Sequence, residues 1–300
     1  MKVYLAALLY NDFREGSPFW PRLNEREKRA VFEVPYLLDS YHYIHKPRMI
    51  ERVKFNWETT GRKVFLDSGA FSSFTQGIDV DIDAYCAYCK EHSEWIEVAS
   101  VLDAIGDADG TWHNQQYIES QGISVLPCYH YGEPEEVLAY YVEHYEYITI
   151  GGMVPIATPQ LRIWLDRIWG KWMTHKDGTP KLKVHGFGLT SIPLMARYPW
   201  YSVDSSSWVQ LGGIGNVFFP KWGMMSVSEL APQLKEKDKH IDNLPPEHRD
   251  VLYGIIEDLG FDIARMRKEH LTRKCFNMVT YSMMSETATD RFTVEQELLF

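Results

Sequence analysis

"VFLDSGAFSSF", Val64 to Phe74, decides how this chain is read. Val64 to Leu66 has the apolar, β-rich character of a buried strand, yet the run stops at a carboxylate, a hydroxyl and a glycine before aromatics return. A carboxylate left alone in a protein interior costs several kcal/mol unless it gains a partner or keeps its proton. Asp67 therefore raises a question that the rest of the chain must answer: which other residues meet it?

Working outward, similar short β-rich runs recur: "KVYLAALL" from Lys2, "WIEVASVLDA" from Trp95, "ISVLPCYH" from Ile123, "YITIGGM" from Tyr147, "KVHGFGLT" from Lys183 and "YSVDSSSW" from Tyr201, with "NVFFPKW" from Asn216 as an eighth candidate. Segments with helical spacing lie between them, starting at Asp81, at Glu133-Pro134 and at Thr158-Pro159. Strands that alternate with helices pair in parallel, and near-continuous apolar runs are strands covered on both faces. The expected fold is α/β, a (β/α)8 TIM-type barrel. Residues 1–225 would form the catalytic barrel and residues 226–300 a helical extension packed on it. Asn11 to Arg62 is long for one crossover and holds "REGSPFWPRL", read as a loop near the barrel mouth.

The chain has 300 residues, of which 45% are hydrophobic and 14% aromatic, which is ample for one large core. A formal charge of −10 argues against nonspecific coating of nucleic acid but leaves room for a local basic groove. Val3 to Leu9 is too short to span a membrane and lacks a basic flank, so no membrane association is expected. Four cysteines in such a chain make no disulfide framework, which suits a cytoplasmic setting. Cys86 and Cys89 lie in a helical stretch, and a zinc site there would need two more ligands, such as Cys128 and His130. Ordinary buried thiols are favoured, with no metal and no cofactor.

Catalytic groups of parallel barrels come from the C-terminal ends of strands, where the loops share one mouth. On this count Asp67 ends the second strand, Asp103 the third and His130 the fourth. Gly151 and Gly152 end the fifth, Gly186 and Gly188 the sixth, and Asp204 the seventh. Any one aspartate could cap the next helix; three on one face are better explained by a shared pocket. Paired glycines let backbone approach a ligand closely, which suits a flat, hydrogen-bonding ring such as a purine-like base.

Taken in order, "DSGAF" (Asp67 to Phe71), "VLDA" around Asp103, "IGGM" (Ile150 to Met153), "HGFG" (His185 to Gly188) and "SVDSSS" (Ser202 to Ser207) resemble the motifs of the tRNA-guanine transglycosylases, over roughly Lys63 to Trp208. The resemblance implies a (β/α)8 enzyme that exchanges guanine in a nucleic acid for a 7-deazaguanine. Asp204 would be the nucleophile and Asp67 the general acid/base. Asp103 would bind the base, together with Ser68, Gly69, Gly151, Gly152, Met153, His130, Gly186 and Gly188, and Phe71 would stack on it. Ala70 and Ser72 replace a glycine and a glutamine of the family motif, and the family's cysteine-rich zinc site has no counterpart. The segment "SSWVQLGGIGN" lacks the basic residues that engage tRNA. These departures resemble the compact DNA-modifying relatives of phages and bacterial islands, which makes DNA the favoured acceptor, free 7-deazaguanine the second substrate and a bacterial or phage-infected cell the setting.

Backbone phosphates could be met by His45-Lys46-Pro47-Arg48 with Arg52 and Lys54, by Lys171 to Lys183, or by Arg265 to Lys274, although nearby acids could instead offset all three. "DAIGDADG" fails as a calcium loop at two ligand positions, so Asp107 or Asp109 is expected to start the next helix. The rival functions are a barrel hydrolase acting on a nucleoside or N-glycoside, and a nucleobase-binding relative without turnover.

Overall fold

The computed structural model describes residues 1–154, 156–189, 191–236 and 239–297, with side chains as far as residue 285. Eight strands form one all-parallel sheet: β1 Lys2–Ala6, β2 Leu37–Ser40, β3 Val64–Asp67, β4 Ile96–Ala99, β5 Cys128–His130, β6 Tyr147–Gly151, β7 Lys183–Gly186 and β8 Ser202–Ser205. Their order is β4-β3-β2-β1-β8-β7-β6-β5. Apart from β4 and β5, which lie at the two ends of the order, consecutive strands are neighbours and β1 lies beside β8, which is a barrel-like α/β arrangement. At the two ends of that order, Leu126 donates its N–H to Ala99 at 2.8 Å and Val101 donates to Leu126 at 2.9 Å.

One expected strand needs correcting, and one strand of the sheet was not expected. "NVFFPKW" does not join the parallel sheet: β9, Asn216–Phe219, pairs antiparallel with β10, Gly223–Ser226. Only three residues separate the two, enough for a hairpin and far too few for a parallel crossover. The missing barrel strand is β2, inside the long segment that seemed too large for one crossover. Asp39 hides it. This carboxylate is 1% exposed and accepts the Leu9 N–H at 3.2 Å, while Arg52, from helix Pro47–Thr60, donates to the Leu9 and Tyr10 carbonyls. Burial pushes the Asp39 carboxyl up to about 7, against the pull of the Leu9 and Tyr10 N–H groups and of Arg52.

The chain divides into two compact units. One comprises Met1–Asn11 and Tyr36–Ser205, with the last helix from Ala288; the other comprises Asp12–Pro35 and Ser206–Thr287. In the first, Tyr4, Leu38 and Phe65 form the centre of a cluster joined by Val98, Leu126 and Phe187. These residues come from β1 to β4 and from the segments that precede β5 and follow β7, so they fill the space the sheet wraps around. In the second, Asn24 and Glu27 make a reciprocal capping box at the start of helix Glu25–Glu33. Glu27 is fully buried and accepts from Arg265 at 2.7 Å. Among the described residues, no helix is long and apolar enough to cross a membrane.

Phe65 is wholly buried and meets Tyr4 edge-on at 5.4 Å and the His185 ring at 4.5 Å. Phe65→Ala should therefore lower stability by about 3–5 kcal/mol in urea titrations; a loss under about 1 kcal/mol would show that this cluster is not the core.

Candidate functional site

Side chains alternate along a strand, so the residues two positions beyond the core layer point the same way at the C-terminal end. Beyond Phe65 that residue is Asp67, and beyond Leu38 it is Ser40. Ser40 and Asp67 are partners in the β2–β3 register. His185 precedes Phe187 by the same step, and Asp204 follows Ser202.

Gly69 turns the chain back toward its own carboxylate. It has φ +79, and a Cβ there would lie 2.6 Å from both His42 Cβ and Ser40 Oγ. In this left-handed conformation its N–H donates to Asp67 Oδ2 at 3.2 Å. Asp67 is pushed up to about 7. Burial is the main cause, followed by the charges of Asp103 and Asp204, while Ser40 and the Gly69 N–H pull the other way. Asp67 is thus within electrostatic reach of the other two aspartates, Asp103 beyond the end of β4 and Asp204 on β8.

Asp204, 7% exposed, accepts the Gly188 N–H at 2.7 Å and lies 3.3 Å from His185 Nε2. Gly188 reaches it through a left-handed turn, φ +61. His185 has no exposed surface, and burial lowers its pKa against the opposing pull of Asp204. Its Nδ1 meets Ser202 Oγ at 2.7 Å, and Ser202 Oγ meets the Tyr147 hydroxyl at 2.7 Å. A buried polar chain therefore runs from Tyr147 to the edge of the carboxylate that ends β8.

On the other side, His130 Nδ1 contacts Glu133 Oε1 at 2.9 Å, and the His130 N–H donates to Glu133 Oε2 at 2.9 Å. His130 Nε2 lies 3.5 Å from Asp103 Oδ2 and 3.4 Å from Cys128 Sγ. Burial opposes charging of His130, but Cys128, Asp103 and Glu133 outweigh it and raise the pKa. Burial, with the nearby Asp103, pushes the Cys128 thiol up to about 11. Asp103, Cys128 and His130 are the residues here that could hold a metal. Cys86 and Cys89 are buried on helix Ile82–Glu91 and do not join them.

The remaining expected site residues fall into separate places. Gly151 leaves room for the His130 ring and the Cys128 sulfur, since a Cβ would sit 2.9 and 3.0 Å from them. Gly152 is exposed with φ +68, and Met153 is buried. Gly186 packs against the Trp200 ring, and Ser68 is fully buried with its N–H on Ser100 Oγ at 3.0 Å. Phe71 sits 59% exposed on helix Ala70–Gln76, away from any described ring partner. Asp107 caps helix Ala108–Ser120 through the Gly110 N–H, as a capping residue should.

Several of the basic residues in these clusters are already occupied. Arg52 is buried on main-chain carbonyls, Lys171 pairs with Glu135, Arg265 with Glu27, Arg267 with Asp242, and Arg273 donates to Gly212. Lys46 and Arg48, exposed just after β2, remain the basic side chains nearest in sequence to the end of a barrel strand. Residues absent from the sequence-based list but built into the site are Ser40, His185, Ser202, Tyr147 and Glu133. The signal for His185 was its strand alternation with Phe187.

No family model matches this chain, and no curated protein matches it.

The raised pKa of Asp67 has a sign that can be checked. An unfolded aspartate ionises near 3.9, so between about pH 4 and 7 the folded chain holds a proton that the unfolded chain has lost. The favourable contribution is complete at the acid end and disappears as pH rises through 7. Asp67→Asn should therefore gain stability relative to the parent on going from about pH 4 to 8, on the order of 2–4 kcal/mol. Denaturation curves at both pH values test this; an unchanged difference would mean that Asp67 ionises normally.

Proposed function

We propose that this chain is a base-exchange transglycosylase, an enzyme that replaces guanine in a nucleic acid, DNA in preference to tRNA, with a 7-deazaguanine derivative. The observation that carries the reading is the electrostatic influence of Asp103 and Asp204 on Asp67, three carboxylates from distant parts of the sequence. In this reading the barrel is closed, β4 meeting β5 through the Leu126 hydrogen bonds to Ala99 and Val101, and the mouth holds one base.

The chemistry assigned to it is a double displacement. An Asp204 oxygen attacks C1′ of the target nucleotide as the C1′–N9 bond breaks, and Asp67 gives its proton to the departing guanine. The sugar is then held as an ester of Asp204. The incoming base gives its N9 proton to the Asp67 carboxylate, attacks C1′ and restores free Asp204. A proton donor with a pKa near 7 suits both halves of this cycle. The Gly188 N–H and His185 aim Asp204, and a neutral, buried imidazole adds no charge that would blunt the nucleophile. Asp103 and the backbone of Gly151 to Met153 would meet the donor edge of the ring. Lys46 and Arg48 would meet a phosphate. A duplex target must first leave its stack, at a cost of a few kcal/mol. The setting would be the cytoplasm of a bacterial or phage-infected cell.

Incubation with guanine-containing DNA or RNA and labelled 7-deazaguanine should give incorporation and a covalent protein–nucleic acid adduct. Asp204→Asn should abolish that adduct and slow exchange by at least about a thousandfold. Release of free guanine without incorporation would favour the N-glycoside hydrolase reading, and neither product would leave a binding role only. An adduct that persists in Asp204→Asn would move the nucleophile elsewhere.

A further inference from the structure

We propose that Asp103, Cys128 and His130 form a site for one divalent transition metal of the zinc class, open on one side toward the carboxylate mouth. This goes beyond the base-exchange reading and does not depend on it.

The three side chains offer an oxygen, a sulfur and a nitrogen that all lie within 4.8 Å of one another. His130 Nε2 is 3.4 Å from Cys128 Sγ and 3.5 Å from Asp103 Oδ2. Four-coordinate zinc with bonds of about 2.0–2.3 Å puts neighbouring ligand atoms roughly 3.3–3.8 Å apart, so both separations match a tetrahedral edge. A mixed sulfur, nitrogen and carboxylate set suits zinc better than magnesium or calcium, which take oxygen ligands.

Two further features distinguish this from an ordinary polar cluster. First, Glu133 grips His130 from behind, one carboxylate oxygen on Nδ1 and the other on the main-chain N–H, at 2.9 Å each. With its proton on Nδ1, the ring turns the Nε2 lone pair toward Cys128 and Asp103, the orienting role that carboxylates play behind metal-bound histidines. A lone pair facing a carboxylate is unfavourable unless a cation or a proton lies between them. Second, Asp103 Oδ1 is buried and has no hydrogen-bond partner. A buried carboxylate oxygen left bare is expensive, and a metal ion held by both oxygens of Asp103 would satisfy it.

Gly151 makes the close approach feasible. A side chain there would run into the His130 ring and the Cys128 sulfur at 2.9 to 3.1 Å. Three protein ligands leave a fourth position, as in catalytic zinc sites, for water or a substrate heteroatom. The His130 and Asp103 side chains are 18% and 12% exposed, which puts the open position on their side, whereas Cys128 is enclosed.

The test uses the purified full chain, stripped of metal and titrated with cobalt(II) without nucleic acid or base, so its outcome is separate from that of the exchange assay. The expected result is about one cobalt per chain with an intense thiolate-to-cobalt absorption band, displaced by zinc. Cys128→Ser should remove the band. His130→Gln should weaken binding at least about tenfold, and the Cys86→Ser/Cys89→Ser double variant should keep both band and affinity. If Cys128→Ser fails to fold by circular dichroism, the parent titration and His130→Gln decide. Absence of a thiolate band in the parent, its survival in Cys128→Ser, or its loss in the Cys86/Cys89 variant would each overturn the proposal.

Discussion

Like charges drawn together out of water set the terms for the rest of this structure. Asp67 lies within electrostatic reach of Asp103 and Asp204, and burial and their repulsion together push its pKa up to about 7. Such an arrangement persists only if the scaffold over-determines it. Here the determinants are short strands whose last inward residue is polar, left-handed glycines that aim main-chain N–H groups back at the carboxylates, and a rigid aromatic layer beneath. The layer of Tyr4, Leu38 and Phe65 is apolar; the layer above it is acidic. Apolar burial fixes the positions of the strands, and strand alternation then fixes the directions of the acids.

How much of this was legible in the sequence varied with the kind of signal. Asp67, Asp103 and Asp204 could be picked out because each ends an apolar run, a local pattern that survives without coordinates. β2 could not, since a run of four residues interrupted by Asp39 does not look like a buried strand until the Leu9 N–H and Arg52 are seen beside it. The miss moved every later strand by one in the count. "NVFFPKW" has the composition of a barrel strand and the neighbours of a hairpin strand; only the short gap to Gly223 tells them apart. The surroundings of Phe71 were hidden for a different reason. Which face of a seven-residue helix meets solvent depends on how the helix is rotated against its neighbours, and the residues themselves do not encode that rotation clearly.

Cys128 and His130 show how partial legibility arises. Two residues apart on one strand, they necessarily share a face, and the sequence displays that. Their third companion does not follow from spacing. Asp103 lies beyond the end of β4, and it meets His130 because β4 and β5 lie at the two ends of the strand order, where Leu126 bridges to Ala99 and Val101. A pairing of Cys128 and His130 with Cys86 and Cys89 was equally consistent with the letters. In the structure both thiols are buried on helix Ile82–Glu91 and stand outside the Asp103, Cys128 and His130 group.

The two halves of the mouth are held by different physical means, and this bears on what each can do. Asp204 is backed by a neutral chain, Tyr147 to Ser202 to His185, whose hydroxyls and imidazole can reorient their protons without any net charge appearing. Asp103 is backed by an ionisable one, His130 and Glu133, with a thiol alongside. A neutral support leaves a carboxylate nucleophilic, because no fixed positive charge competes for its electrons. A support containing imidazole, thiol and a second carboxylate instead gathers lone pairs at one point, which favours capture of a cation. Asp67 feels the charge of both aspartates, so its proton responds to a change of charge on either. Removing charge from Asp103, by metal or by substitution, should therefore lower the affinity of Asp67 for its proton, and removing charge from Asp204 through ester formation should do the same. In the proposed exchange the second case is useful: Asp67 would give up its proton to the leaving base in the same step that neutralises its neighbour.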